Sequence, residues 1–327
     1  RWLSSLSPQA DIVLLGDPDQ LASVEAGAVL AQLCDSPIGA SHRVHLTHSH
    51  RFDPNAGIGQ WAALTQSGLG YPLKQAWEAL PELSEALSSP APSSADAVWR
   101  CSQAQATFGA HPPKAVAQWI RSGWQQWLDW FQPLRSAQTA CSDEQALAGL
   151  KAWSAFGVLS AVHQGSQGVE ALNTWVNTLL DLPPADAAGW FAGRPVMVQH
   201  NLPQLGLMNG DVGLCLPVEV EGQIRLRVAF AQPHLGPAAV KWLPPSMVHP
   251  VQTAWAMTVH QSQGSEFDRL LIVIPSEDMP LMTREWFYTA LTRAKQSLAI
   301  WSSKPEVWLN AVERPTQRLG GLSDGVA

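Results

Sequence analysis

At 327 residues, with 46% hydrophobic and only 14% charged residues, the chain carries enough apolar side chain to bury the core of one large domain or two. That excludes disorder along the whole chain, and a net charge of −7 excludes a globally basic coat for nucleic acid while leaving room for a local basic groove. Cys34, Cys101, Cys141 and Cys215 form no C-x-x-C pair, so neither a zinc site nor a disulfide framework is expected, and a reducing cytoplasm suits them.

No apolar run reaches the roughly 18 residues of a membrane span, and Arg1-Trp2-Leu3-Ser4 lacks the apolar core of a signal peptide. The chain opens on Arg1 and enters a strand-like run by Asp11, which reads as a chain trimmed at its amino end. Asp11-Ile12-Val13-Leu14-Leu15 predicts a buried parallel strand opening into the turn Gly16-Asp17-Pro18-Asp19-Gln20. A helix follows with Val29, Leu30, Leu33 and Cys34 on its buried side, and residues 36–45 read as a loop leading to Val44-His45-Leu46. Residues 56–155 read mostly as helices, broken by the Pro/Ser/Ala-rich loop Ser88–Ser94. Trp119, Trp124, Trp127 and Trp130, with Phe131, are assigned to packing on helix faces rather than to base stacking.

Buried strands are expected at Phe156–Val162 and Arg194–Val198. Residues 208–250 change character: Asn209-Gly210 signals a turn and Gln223–Val228 alternates like a half-exposed strand, so a small β insertion is expected. The α/β alternation then resumes with strands at Thr253–Val259 and Leu270–Ile274, a helix from about Arg284 to Lys295, and a strand at Ser297–Trp301.

Four short segments put polar or charged residues at or beside the ends of such strands, where an α/β sheet forms its ligand crevice. They are Gly16 to Leu21, Ser49-His50-Arg51-Phe52, Thr258 to Asp268, and Tyr288 to Lys295. On the predicted last helix Thr289, Arg293 and Gln296 share a polar stripe opposite Phe287, Ala290, Leu291 and Ala294. His45, His48 and His50 have no Cys or carboxylate partner at ligand spacing, so no metal site is expected. The sequence contains neither a G-x-x-x-x-G-K-[ST] phosphate loop nor an acidic pair after a strand.

Taken in order, the four segments resemble motifs III, IV, V and VI of superfamily-one helicases. The phrases GDPDQLASVEAG (16–27), HNLPQLGLMNGDVG (200–213), WAMTVHQSQGSEFD (255–268) and TREWFYTALTRAKQSL (283–298) resemble the RecD family more closely. The resemblance runs from about Ile12 to Trp301, loosely through the helical middle. It implies an α/β motor of RecA-like, P-loop NTPase type, with a nucleotide bound between two parallel-sheet domains. Residues 1–45 would be the carboxy-terminal edge of the first domain, 46–207 and 251–305 the second, 208–250 a small SH3-like β insertion, and 306–327 a tail.

By the same resemblance Gln20 contacts the γ-phosphate or its attacking water, Asp17 shapes the turn that holds it, and Arg51 and Arg293 meet charge developing on the transferred phosphoryl. Gly264 permits close backbone approach and Glu266 reaches the nucleotide ribose, while Thr258, His260, Ser262 and Gln263 serve the nucleic-acid backbone. The family usually carries lysine at position 261, where this chain has Gln261. The implied cofactors are ATP and Mg2+, with the phosphate cradle and magnesium ligands expected upstream of motif III, so this chain alone is expected to be inactive. The implied partners are single-stranded DNA and the RecB and RecC subunits, with no membrane, and the nuclease of the complex belongs to the RecB partner. The implied function is that of an ATP-dependent 5′-to-3′ DNA helicase subunit of RecBCD (exodeoxyribonuclease V) in double-strand break repair and recombination, which the phrase LASVEAG (21–27) favours. The alternatives are a stand-alone RecD-like helicase, the helicase half of a conjugative relaxase, and a non-catalytic DNA- or partner-binding module.

Overall fold

The computed structural model describes residues 57–87, 97–103, 112–137 and 139–316, together with the shorter stretches 5–7, 9–21, 29–36, 42–44, 46 and 53. Its centre is a five-stranded, wholly parallel sheet in the order β1 (Ala97–Cys101), β10 (Ala294–Ser302), β9 (Phe267–Ile274), β2 (Phe156–Ser160), β8 (Ala256–Thr258). Parallel strands are joined by crossovers that cover both faces, so their sequences read as unbroken apolar runs. β2 is buried at every position, and β9 is fully buried from Leu270 to Ile274.

Helices α2 (Gly57–Ser67), α3 (Gly70–Ala79) and α4 (Leu83–Ala86) precede β1, and α5 (Lys114–Gly123), α6 (Gln125–Ala137), α7 (Asp143–Ser154) and α8 (Val169–Leu179) precede or follow β2. α7 starts at a capping box in which Ser142 and Gln145 satisfy each other's backbone N–H groups. The tryptophans expected to pack do so. Trp124 meets Phe156 and Trp255 edge-on at 4.8 and 5.0 Å, and Trp127 stacks on Phe131 at 5.0 Å. Trp119, Trp124 and Trp127 are buried, and Trp130 is half-buried.

A second five-stranded sheet is antiparallel, in the order β6 (Val240–Leu243), β5 (Gln223–Ala231), β4 (Val212–Val220), β3 (Pro195–Val198), β7 (Val251–Thr253). It is wider than the expected 208–250 insertion, because Pro195–Val198 pairs here and not with the parallel sheet. The single strand expected at Thr253–Val259 is two, one in each sheet, and the chain passes between them at Ala254-Trp255. An apolar run does not encode which sheet receives each half.

Other expectations are also corrected. Asp11–Leu15 forms no strand, and Val13 and Leu15 are 78% and 88% exposed. Strands are held by neighbouring backbones, and among the described residues neither sheet sets one beside this run. Within the stretch read as mostly helical, Ala97–Cys101 is the edge strand of the parallel sheet. The helix that begins at Arg284 (α9) stops at Leu291, where the Thr292 hydroxyl donates back to the Tyr288 and Thr289 carbonyls. Arg293 and Gln296 therefore lie off that helix, Gln296 on β10, and no continuous polar stripe exists. Residues placed in a tail include a final helix, α10 (Pro305–Val312). The helix expected after Gly27 is present at Val29–Asp35 (α1) with Leu30, Leu33 and Cys34 half-buried. The Ser88–Ser94 loop lies outside the described residues.

Candidate functional site

The turn after Gly16 is held by its own polar groups. Asp17 accepts from the Asp19 N–H at 3.0 Å and from the Gln20 side-chain amide at 2.9 Å, the local bonding that suits short acidic side chains to turns. The Gln20 carboxamide oxygen accepts from Arg293 Nη2 at 2.7 Å. Leu21, 6% exposed, donates its N–H to Thr289 Oγ1 at 2.6 Å, and its carbonyl accepts from Gln263 Nε2 at 2.5 Å. The Tyr288 hydroxyl donates to Asp17 at 3.4 Å. The turn is thus fastened to both the end of α9 and the loop between β8 and β9.

Arg293 stands between α9 and β10 and is 4% exposed. Its Nε donates to the Thr289 carbonyl at 3.2 Å and its Nη1 to the Ser265 carbonyl at 3.3 Å. A guanidinium withdrawn from water needs such oxygen partners. The Arg293 carbonyl in turn accepts from the Phe267 N–H at 2.9 Å, so the head of β9 is fixed to the same residue.

The loop between β8 and β9 turns at Gly264, whose φ of +83° a side chain would strain. Among the described residues nothing lies within 4 Å of where a Cβ would stand there, so a ligand can approach the backbone. Glu266 is exposed on the same loop and His260 is half-buried.

The structure therefore gathers Asp17, Gln20 and Arg293, and sets Gly264 and Glu266 on the adjoining loop. Arg51 lies outside the described residues, as do His45, His48 and His50. Two residues assigned to nucleic acid turn inward. Thr258 is 5% exposed with its hydroxyl donating to Gln261 Oε1 at 3.2 Å, and Ser262 is 0% exposed with its hydroxyl donating to the Val259 carbonyl at 2.8 Å. Hydroxyls so buried and occupied serve the loop's shape rather than a phosphate. Gln263 is exposed, and its Nε2 donates to the Leu21 carbonyl. Sequence reasoning missed Tyr288 as a partner of the turn and the Ser265 carbonyl as a partner of Arg293, and gave Thr289 no contact with the turn. Tyr288 and Thr289 both lie in the YTALTRAK phrase, which was the available signal.

Among the described residues no group of three or more His, Cys, Asp or Glu side chains could hold a metal ion, and no helix is long and apolar enough to cross a membrane.

A family model described as the UvrD-like helicase C-terminal domain matches residues 253–301, the stretch that holds β8, the Gly264 loop and Arg293. An AAA domain model matches residues 1–80, which includes the Asp17–Gln20 turn. RecBCD enzyme subunit RecD of Mycolicibacterium smegmatis is 33% identical over 98% of this chain and 50% of its own length. The subunit of that name from Haemophilus influenzae is 27% identical over 98% of this chain and 51% of its own. The ATP-dependent RecD2 DNA helicase of Deinococcus radiodurans is 26% identical over 90% of this chain and 33% of its own. The chain thus spans about half the length of the RecD relatives it matches. With a UvrD-like helicase C-terminal domain match over its closing strands and likeness along nearly its whole length, the chain is similar to the half of the RecD subunits that it spans.

Proposed function

We propose that this chain forms part of an ATP-dependent 5′-to-3′ DNA helicase subunit that acts on single-stranded DNA with RecB and RecC in double-strand break repair, in the cytoplasm. In this reading residues 1–45 belong to the edge of a first RecA-like domain, and the parallel sheet with its helices is the second. The antiparallel sheet is the SH3-like insertion, its limits moved outward to about 195–253.

The observation that carries the reading is the bond between Gln20 and Arg293, which joins two segments 273 positions apart at the place where motifs III and VI are expected to share a nucleotide. The donor set fits a terminal phosphate: a buried guanidinium, a carboxamide and an ordered turn converge within hydrogen-bond reach. ATP with Mg2+ supplies the phosphoryl group and the free energy of hydrolysis. Arg293 offers a fork that meets charge on phosphoryl oxygens without a proton transfer. Gln20 offers a neutral amide able to orient a water and to report occupancy through Leu21 to the Gly264 loop. His260, on that loop, is the proposed contact for a DNA phosphate, a contact that follows the strand without reading its bases.

The test uses a RecD-length protein carrying this sequence. Single-stranded DNA should stimulate its ATP hydrolysis, and Gln20→Ala should lower the stimulated rate more than it lowers nucleotide affinity. High DNA affinity with no ATP turnover would favour a non-catalytic binding module instead.

A further inference from the structure

Gln261 has no role in the reading above, yet its side chain joins the two sheets. Its Oε1 accepts from the Thr258 N–H at 2.9 Å and from the Thr258 hydroxyl at 3.2 Å, and its own N–H returns to Thr258 Oγ1 at 3.2 Å. Its Nε2 donates to Gln252 Oε1 at 3.4 Å. Thr258 ends β8 of the parallel sheet, and Gln252 is the middle residue of β7 in the antiparallel one.

The link between these strands is pinned as well. Asn173 on α8 accepts from the N–H groups of Trp255 and Ala256 at 2.8 and 3.0 Å and donates to the Ala256 carbonyl at 3.0 Å. Among the described residues β8 is the edge of its sheet, and this carboxamide bonds its backbone where a neighbour strand would. Asn177 accepts from Trp255 Nε1 at 2.6 Å. With the crossover fixed, a displacement of the antiparallel sheet is passed to Thr258 and the Gly264 loop. The path continues from Gln263 to Leu21, whose neighbour Gln20 meets Arg293.

We propose that Gln261 is a positioning residue that ties the Gly264 loop to the antiparallel sheet, so that a load on that sheet is felt at the Gln20–Arg293 pair. The consequence for ATP turnover rests on the helicase reading, whereas the tie itself does not. A lysine at this position has no acceptor, so it would leave the Thr258 N–H, in a residue 5% exposed, without its partner.

Amide hydrogen exchange on this chain tests the tie. Gln261→Ala and Gln261→Lys should speed exchange at Thr258 by about tenfold, the factor for one lost neutral hydrogen bond. Gln261→Glu keeps both acceptor bonds, and Gln252 can turn its amide to donate to the carboxylate, so Thr258 should stay protected and the tie should hold. In a RecD-length protein, Gln252→Ala should lower the ratio of DNA-stimulated to basal ATP hydrolysis by about threefold, less than tenfold because the 3.4 Å contact is long, and Gln261→Glu should leave it unaltered. Unaltered Thr258 exchange in Gln261→Lys, with tighter single-stranded DNA binding, would make position 261 a phosphate contact and overturn the proposal. Altered Thr258 exchange in Gln261→Lys with unaltered stimulation in Gln252→Ala would overturn the positioning role. Absence of ATP turnover in the wild-type protein would overturn the helicase reading instead, and Thr258 exchange in Gln252→Ala, faster if the tie holds and unaltered if it does not, would then decide the tie. If Gln261→Ala does not fold, Gln261→Lys and Gln252→Ala carry the test.

Discussion

Arg293 donates to Gln20 at 2.7 Å although 273 positions separate them, and the arginine is 4% exposed. A surface arginine can be removed at little cost to folding, but this guanidinium also holds the Thr289 and Ser265 carbonyls. Arg293→Ala should therefore lower the unfolding free energy by about 2 kcal/mol, the scale of hydrogen bonds to charged groups. Arg293→Lys should cost less, since it keeps the charge and loses the fork. Urea unfolding midpoints measure both, and an unchanged midpoint in the alanine variant would put the guanidinium in solvent.

Trp119 of α5 and Trp127 of α6 are core. Trp127 is fully buried between Phe131 and Trp255, at 5.0 and 4.9 Å. Trp127→Ala should cost about 3–5 kcal/mol, as for other large-to-small core changes. Single-stranded DNA affinity of the folded fraction should be unchanged. A selective loss of DNA binding at intact stability would restore the stacking role.

Gly123 ends α5 against the Phe156 ring, where an added Cβ would stand 2.2 Å from a ring carbon. Phe156 is 0% exposed and held edge-on by Trp124. Gly123→Ala should thus overpack the site and cost about 1–3 kcal/mol despite alanine's better helix propensity. A thermal midpoint at or above wild type would show that the ring can move aside.

Burial pushes the Cys215 thiol up to about 12 and the Cys141 thiol up to about 11, from an ordinary 9.0. A thiol raised in the folded state favours folding fully below its unfolded value, and that contribution is lost as pH rises from about 9 toward 12. Both thiols should resist alkylation at pH 8 until the chain unfolds, and stability should fall above pH 9 less steeply in Cys215→Ala than in wild type. Rapid labelling of Cys215 in the folded chain would contradict its burial.

Much of the parallel sheet was legible in the sequence because buried parallel strands are apolar at consecutive positions, as in Leu270–Ile274 and Phe156–Ser160. β1 was not, since Arg100 interrupts its run and the half-buried arginine pairs with Glu82 at 3.2 Å, a contact set by the fold. The exposed run at Val13–Leu15 shows the converse limit: apolar sequence specifies a wish for burial, not a neighbour. The residues of the Gln20–Arg293 site could be named from motif phrases. Their roles could not all be read, because a threonine or serine that faces a phosphate has the same sequence as one that bonds its own loop, as Thr258 and Ser262 do.

The central claim is that Arg293 faces a nucleotide phosphate beside Gln20. It is tested most directly by DNA-stimulated ATP hydrolysis in a RecD-length protein, comparing wild type with Arg293→Lys, with folding checked by urea midpoint. The account predicts a loss on the order of 10³-fold in turnover, the lower range for arginine fingers, at nearly wild-type stability and nucleotide affinity. Hydrolysis near the wild-type rate in the folded lysine variant would make Arg293 a purely structural cation and contradict the account.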